Sequence, residues 1–353
     1  MLFLSKAEKA QWEDLAKEIE AKNAAPDHYG EVLKPGIRSA FRCFAGVRLA
    51  LSGKPETARE WFNAGVWEEG DAQFFNAFLT GFLARYGGRM AMPEKVFADP
   101  RPYLHFTHVP VLRNSRRNFM LCCIESLPRF SKPFRFLDLG CGDGSLTAMF
   151  LDTMRAAEKF DEFGEVVLVD SSAGMLEVAK KTLSGVVPEE KIKTVCAKFT
   201  DFMNDPGGPY DLALSSLAVH HMTAEVKREF FLRLAPRFNH FLLFELDANH
   251  DTPELGSPDL MISMYQAYGG LIEHVFAYDA PVDVALACVD RFLMNEAISL
   301  FTQPRGERND YHMMRSQWRE LLLESLGPDF SCLQNTACFE DLNFGLFMQH
   351  FGR

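Results

Sequence analysis

The stretch "FRFLDLGCGDGSLT", residues 134–147, decides the fold. It opens as an apolar run, passes through Gly140, Gly142 and Gly144 at alternate positions, and ends on what reads as a helix start. Glycine weakens regular structure because it loses the most backbone freedom on folding. Three of them between a strand and a helix mark a place where the backbone must be bare. In an open α/β sheet that place is the crevice beyond the carboxyl ends of the strands, where ligands bind. Bare backbone admits a close approach, and a helix N-terminus offers N–H groups to a ligand. The spacing Asp-x-Gly-x-Gly-x-Gly, Asp138 to Gly144, matches neither the G-x-G-x-x-G dinucleotide fingerprint nor a P-loop, which would close on Gly-Lys-Ser/Thr.

Working outward, the chain from 134 alternates strand and helix. "FRFLDLG" reads as a buried strand and "LTAMFLDTMRAAEKF" as a helix. "EVVLVD", "KIKTVCAKF", "YDLALSSL" and "HFLLFEL" read as the next four strands, with helices in "AGMLEVAKKTLSG" and "TAEVKREFFLRLAPRF". This order predicts a parallel, doubly wound sheet with helices on both faces. The pattern then breaks. "SPDLMISMYQAYGGLIEHVFAY" begins with a helix signal, Ser257 as cap and Pro258 in the first turn. "APVDVALACVDRFLMNEAISLF" reads as one more helix. The two form an insert over residues 252–305. A closing helix, "YHMMRSQWRELLLESLG", and two strands, "FSCLQNTACF" and "LNFGLFMQHF", end the chain.

Upstream, residues 1–115 read as an all-helical domain. "SKAEKAQWEDLAKEIEAK" places Ala7, Trp12, Leu15 and Ile19 at roughly helical spacing. Three further helices are expected in "IRSAFRCFAGVRLALSG", "PETAREWFNAGVWEEG" and "AQFFNAFLTGFLARYGG", punctuated by glycines. The proline-rich "MPEKVFADPRPYLHFTHVP" reads as a loop-like connector to the second domain, 116–353. The expected fold class is α/β: a Rossmann-like doubly wound sheet, an N-terminal all-α domain and a helical lid.

The chain of 353 residues is 47% hydrophobic and 24% charged, an ordinary globular composition. Its net charge of −11 argues against nucleic acid or an anionic membrane surface as the main partner, since both select a basic footprint. Arg113, Arg116 and Arg117 form the one tight basic cluster and read as a solvated helix face. The eight cysteines include no CxxC pair, so zinc-knuckle and thioredoxin readings have no support. A reducing compartment suits them. The N-terminal stretch becomes charged after four residues and lacks the apolar core of a signal peptide, and no run approaches a membrane span. A cytoplasmic protein is the expectation.

"LDLGCGDGSLT", "VVLVDSSAGMLEVAKK" and "YDLALSSLAVHHM", in that order, resemble the first, second and fourth motifs of class I S-adenosylmethionine-dependent methyltransferases. The closing helix and two strands resemble that family's last segment. The resemblance covers about residues 134–251 and 306–353 and leaves the N-terminal helices and the insert outside. It implies S-adenosylmethionine as cofactor. It implies that Gly140, Cys141, Gly142 and Gly144 pass under the methionine part and that Asp138 holds the region of the ammonium group. Asp170, at the end of the second strand, would accept the ribose hydroxyls, with Ser171 beside it; a helix cap is the plain alternative. Met175 would pack against the adenine or else be ordinary helix core, and Ser215 is a further candidate for the cofactor. The family often carries an acidic residue after the third strand. Here Lys198 stands there, with Phe199 next, a departure that shifts the adenine contact toward Phe199 and Asp201.

The acceptor side is read from the residues. A sulfonium methyl is already activated, so alignment and exclusion of water dominate, and a base is needed only for a protonated nucleophile. His220 and His221 follow the fourth strand; histidine titrates in the right range for a base, and a packing role is the alternative. His250 lies in "FELDANHDTPE", which also carries Glu245, Asp247, Asp251 and Glu254. Orientation of an amine or hydroxyl, or an acidic loop with helix caps, both fit that segment. A metal is not expected; its candidate ligands are His250 and Asp251 with His274 or His312. Met261, Met264, Tyr265, Tyr268, Phe276 and Tyr278 of the insert, with Tyr103, His105, Phe106 and His108, would enclose an apolar substrate or else form a helical core. Arg305 or Arg308 would clamp a substrate carboxylate or else lie exposed at the surface.

The expectation is a methyltransferase acting on a small-molecule acceptor at oxygen or nitrogen, with carbon open, in a lidded pocket. A homodimer is left open. The alternatives are a protein methyltransferase docking through the N-terminal helices and a non-catalytic scaffold of the same fold.

Overall fold

The chain is described from a computed structural model over residues 2–70, 73–93 and 101–353. Two compact units result. One comprises Met1–Arg113, Ala248–Tyr311 and Glu340–Phe344; the other comprises Asn114–Asp247, His312–Phe339 and Gly345–Arg353.

The second unit is built on seven strands: β1 (Phe134–Leu139), β2 (Phe163–Asp170), β3 (Ile192–Cys196), β4 (Tyr210–Ser216), β5 (Phe238–Asp247), β6 (Ser331–Glu340) and β7 (Gly345–Gly352). Their order in the sheet is β3-β2-β1-β4-β5-β7-β6. The first five run parallel, and β7 runs antiparallel to β5. Apolar runs with no alternation explain the arrangement. Phe136, Leu137, Leu139, Val166 to Val169, Leu212 to Leu214 and Phe241 to Phe244 are all buried, which requires cover on both faces. The chain winds one way from β1 through β2 to β3 and the other way from β4 on. Leu139 lies opposite Val169 on one side and Ser215 on the other. The carboxyl ends of β1, β2 and β4 therefore open together at the switch point.

The first unit is helical. Lys6–Lys22 starts at Ser5, whose hydroxyl accepts from Glu8 N while Glu8 accepts from Ser5 N, a complete capping box. Trp12, fully buried, stacks on Phe44 at 5.6 Å and meets Phe41 edge-on at 5.3 Å. Both phenylalanines belong to the helix Pro35–Leu51. Pro258–Ala277 packs in this unit: Tyr265 OH lies 2.6 Å from Ser39 Oγ, and Gln266 Nε2 donates to Leu2 O at 3.1 Å. Among the described residues no helix is long and apolar enough to cross a membrane.

Three local expectations change. The connector is not a loop where it is described: Arg101–His108 and Pro110–Ser126 are helices. Pro102 and Pro110 occupy first turns, where a missing N–H is harmless. Residues 94–100 of the connector, and the Tyr103 side chain, lie outside the described residues. The helix expected over 280–301 is interrupted. Val282–Ala287 and Met294–Thr302 flank π-helical turns at Cys288–Leu293. Inside those turns Asp290 accepts two bonds from Arg85, at 2.6 and 3.0 Å, so an ion pair accompanies the local widening. The closing helix starts only at Arg315, whose N–H is taken by the Asp247 carboxylate at 2.9 Å.

Candidate functional site

Gly140, Gly142 and Gly144 have φ of 79°, 53° and 72°, all left-handed, a region that L side chains avoid. Two of them are also bare for the protein's own packing. A Cβ on Gly140 would lie 2.3 Å from Ala218 Cβ, and one on Gly144 would lie 2.7 Å from Leu183 Cδ1 and 2.9 Å from Ala179 Cα. The sequence reading gave all three to a ligand; close packing of β1's loop against the β4 turn and the helix Ala173–Leu183 is the stronger cause at Gly140 and Gly144. Gly142 donates its N–H to Asp170 Oδ2 at 3.0 Å. Cys141 between them is buried.

Asp170 closes β2 and is half-buried. Its other oxygen accepts from Ser172 N at 2.8 Å, while Ser172 Oγ caps the next helix by accepting from Met175 N. The carboxylate thus ties the glycine loop of β1 to the helix start after β2. Asp138 lies beneath, 3% exposed, and Thr147 donates its hydroxyl to it. Burial pushes the Asp138 carboxyl up to about 7; the Thr147 bond opposes this, and the Asp170 charge adds to it. Ser171 is exposed and Met175 half-buried beside Asp170. Lys198 is exposed, so its side chain lies in water. Phe199 is half-buried, 5.5 Å from Phe230, and its Cζ would stand 3.3 Å from a Gly140 Cβ. Asp138, the glycine loop, Asp170 and Phe199 are thus brought together. Ser215 is fully buried, and its hydroxyl donates to Leu139 O at 3.1 Å, a bond inside the sheet.

The turn after β4 passes through Leu217, a non-glycine residue at φ 49°, to Val219–His221. His221 is exposed and His220 buried, their ring centroids 4.3 Å apart. His220 Nδ1 lies 2.9 Å from Glu245 Oε2, and Ala218 N donates to Glu245 Oε1 at 3.2 Å. Glu245, inside β5, has no exposure. The sequence showed each residue but not the pairing, because the two lie 25 residues apart and meet only when β4 and β5 pair in the sheet.

Most of the other acceptor-side candidates fall in the helical unit. His250, fully buried, stacks on Tyr268 at 5.7 Å. Asp251 holds Arg305 at 2.8 Å, and His274 faces Asp341 at 3.8 Å. The structure does not bring His250, Asp251 and His274 together as ligands for one ion among the described residues. Arg308 is 4% exposed and donates to the carbonyls of His250 and Pro253, each at 3.0 Å. A substrate clamp needs a guanidinium that faces a cavity, and these two are engaged by their own unit. Met261, Met264, Tyr265 and Tyr268 are buried, and His105 stacks on Tyr278 at 5.1 Å. Phe106 meets Phe292 at 5.0 Å, Phe276 meets Phe74 at 5.5 Å, and His108 bonds its own helix. These aromatics form the helical core, the plainer of the two sequence readings.

Residues 136–237 match the model of a family described as a methyltransferase domain. Over that segment, which takes in β1 to β4, the glycine loop, Asp170 and the two histidines after β4, the chain is similar to this methyltransferase-domain family. An uncharacterized methyltransferase of Bacillus licheniformis is 37% identical over 95 residues, 27% of this chain. The match spans 38% of that relative's length. The crystal structure of SCL7 from Oryza sativa shares the fold with a TM-score of 0.57 at 14% identity, covering 90% of this chain and 100% of that one. The cyclopropane synthase MmaA2 of Mycobacterium tuberculosis gives a TM-score of 0.42 at 12% identity, covering 73% and 93%.

Proposed function

We propose that this chain transfers a methyl group from S-adenosylmethionine to a small-molecule acceptor. The observation that carries the reading is Asp170: a half-buried carboxylate at the end of β2, fixed by the amides of Gly142 and Ser172 at the switch point of the sheet. Each oxygen already accepts one amide and keeps a second lone pair for a ribose hydroxyl. The cofactor, when bound, supplies a sulfonium-activated methyl group. The chain's residues then bind and align. Asp138 provides a carboxyl beneath the loop for a cation, Phe199 an aromatic edge beside Gly140, and the loop a bare surface at Gly142. His221, exposed after β4, is the side chain placed to take a proton from an acceptor; His220, held by Glu245, positions that turn. Oxygen and nitrogen acceptors suit a histidine base.

The small-molecule reading is also consistent with the net charge of −11, which disfavours nucleic acid. Calorimetric titration with S-adenosylmethionine and S-adenosylhomocysteine tests the cofactor. Micromolar binding that falls at least tenfold in Asp170→Ala, with the circular dichroism of the wild type, supports the assignment. Equal binding in the variant removes Asp170 from the ribose site, and no binding by the wild type leaves a scaffold of this fold as the better reading.

A further inference from the structure

Three segments distant in sequence bring one carboxylate and two imidazoles together inside the sheet unit. Glu245 comes from β5, His220 from the turn after β4, and His312 from the point where the chain re-enters the unit after the insert. Glu245 Oε2 lies 2.9 Å from His220 Nδ1 and 3.8 Å from His312 Nδ1. The two imidazole centroids are 4.0 Å apart. The side chains of His220, Glu245 and His312 are 6%, 0% and 4% exposed. One donor atom from each lies within 4.8 Å of the others. Donors about 2.1 Å from a tetrahedral ion stand ~3.4 Å apart. The two measured gaps bracket that separation. The second Glu245 oxygen is held by Ala218 N at 3.2 Å, an outer bond that turns Oε2 toward both rings.

We propose that His220, Glu245 and His312 form a binding site for a divalent first-row transition ion of the Zn2+ class. Two imidazoles and one carboxylate are the donor set of such ions; Mg2+ and Ca2+ select oxygen ligands. A cation also answers the electrostatic question posed by Glu245, a carboxylate fully out of water, which is costly without positive charge nearby. The site adjoins the glycine loop through Ala218, the residue whose amide holds Glu245 and against which Gly140 packs. Neither the donor set nor its test depends on the methyl-transfer reading.

The test uses the metal-stripped 353-residue chain and Co2+ as a visible probe, with Zn2+ in competition. The expected result is one equivalent of Co2+ bound, with the visible absorption of a four- or five-coordinate ion, displaced by Zn2+. Glu245→Gln and His312→Asn should each weaken binding at least tenfold, and His108→Asn in the helical unit should not. The wild-type spectrum decides the matter even where a variant fails to fold. Absence of that absorption at one equivalent overturns the proposal, as does unchanged binding in both folded variants. S-adenosylhomocysteine titrated in parallel separates the two readings. Binding of it without Co2+ removes the metal site alone, and Co2+ binding without it removes the cofactor reading alone.

Discussion

Asp138 holds its proton near neutral pH because it is buried beneath the glycine loop, with its carboxyl raised to about 7. A raised carboxyl stabilises the fold fully below the unfolded value near 4, and that contribution is lost as pH rises through about 7. Binding a cationic ligand reverses the preference, since the ionised form attracts it. Affinity for S-adenosylmethionine should therefore rise as pH climbs through 7, with protons released on binding. Calorimetry in two buffers of different ionisation enthalpy reads that release, and Asp138→Asn should abolish it. Gly140→Ala tests the packing cause of the glycines. A left-handed φ costs on the order of 1–2 kcal/mol, and the contact with Ala218 adds to it, so a loss of about 3 kcal/mol in chemical denaturation is expected. The motif's glycines were visible in the sequence. Their partners Ala218, Leu183 and Ala179 were not, because those contacts close only when separate strands and helices meet.

At the scale of elements, β5 and β7 pair antiparallel and set His240 Nδ1 3.0 Å from His350 Nε2. Burial, then the His240 charge, lowers the His350 value to about 3, and burial lowers His240 as well. A histidine with a depressed value resists protonation in the folded state while the unfolded chain takes it up. Stability is thus complete above about 6.5 and falls as pH drops toward 3. Urea unfolding at pH 7 and pH 5 should show the decline, and His350→Gln should flatten it. In the helical unit, Arg85→Ala would leave Asp290 buried without its guanidinium partner. A loss of about 2 kcal/mol is expected in thermal unfolding. Most elements were legible from periodicity and, at Pro258–Ala277, from the Ser257 cap. The π-helical turns at Cys288–Leu293 were not, since the apolar pattern runs through them unbroken. Arg101–His108 was hidden by its prolines, which punctuate loops and open helices alike.

For the whole molecule, a ligand that binds only the folded chain must raise its unfolding midpoint. S-adenosylhomocysteine at 100 times its dissociation constant should add about 2.7 kcal/mol, measured by scanning calorimetry, and Asp170→Ala should remove most of that gain. The sequence by itself determined the parallel sheet, the glycine loop and the position of Asp170. These follow from apolar runs, turn chemistry and order along the chain, all of which are local. Only the tertiary structure decided which distant groups meet. It joined Glu245 to His220 and His312, gave Asp251 to Arg305, buried Ser215 in the sheet and put the insert's aromatics into a helical core. Periodicity records which face of an element is buried. It does not record what lies against that face, because that partner is set by sheet order and by the packing of side chains from segments far apart.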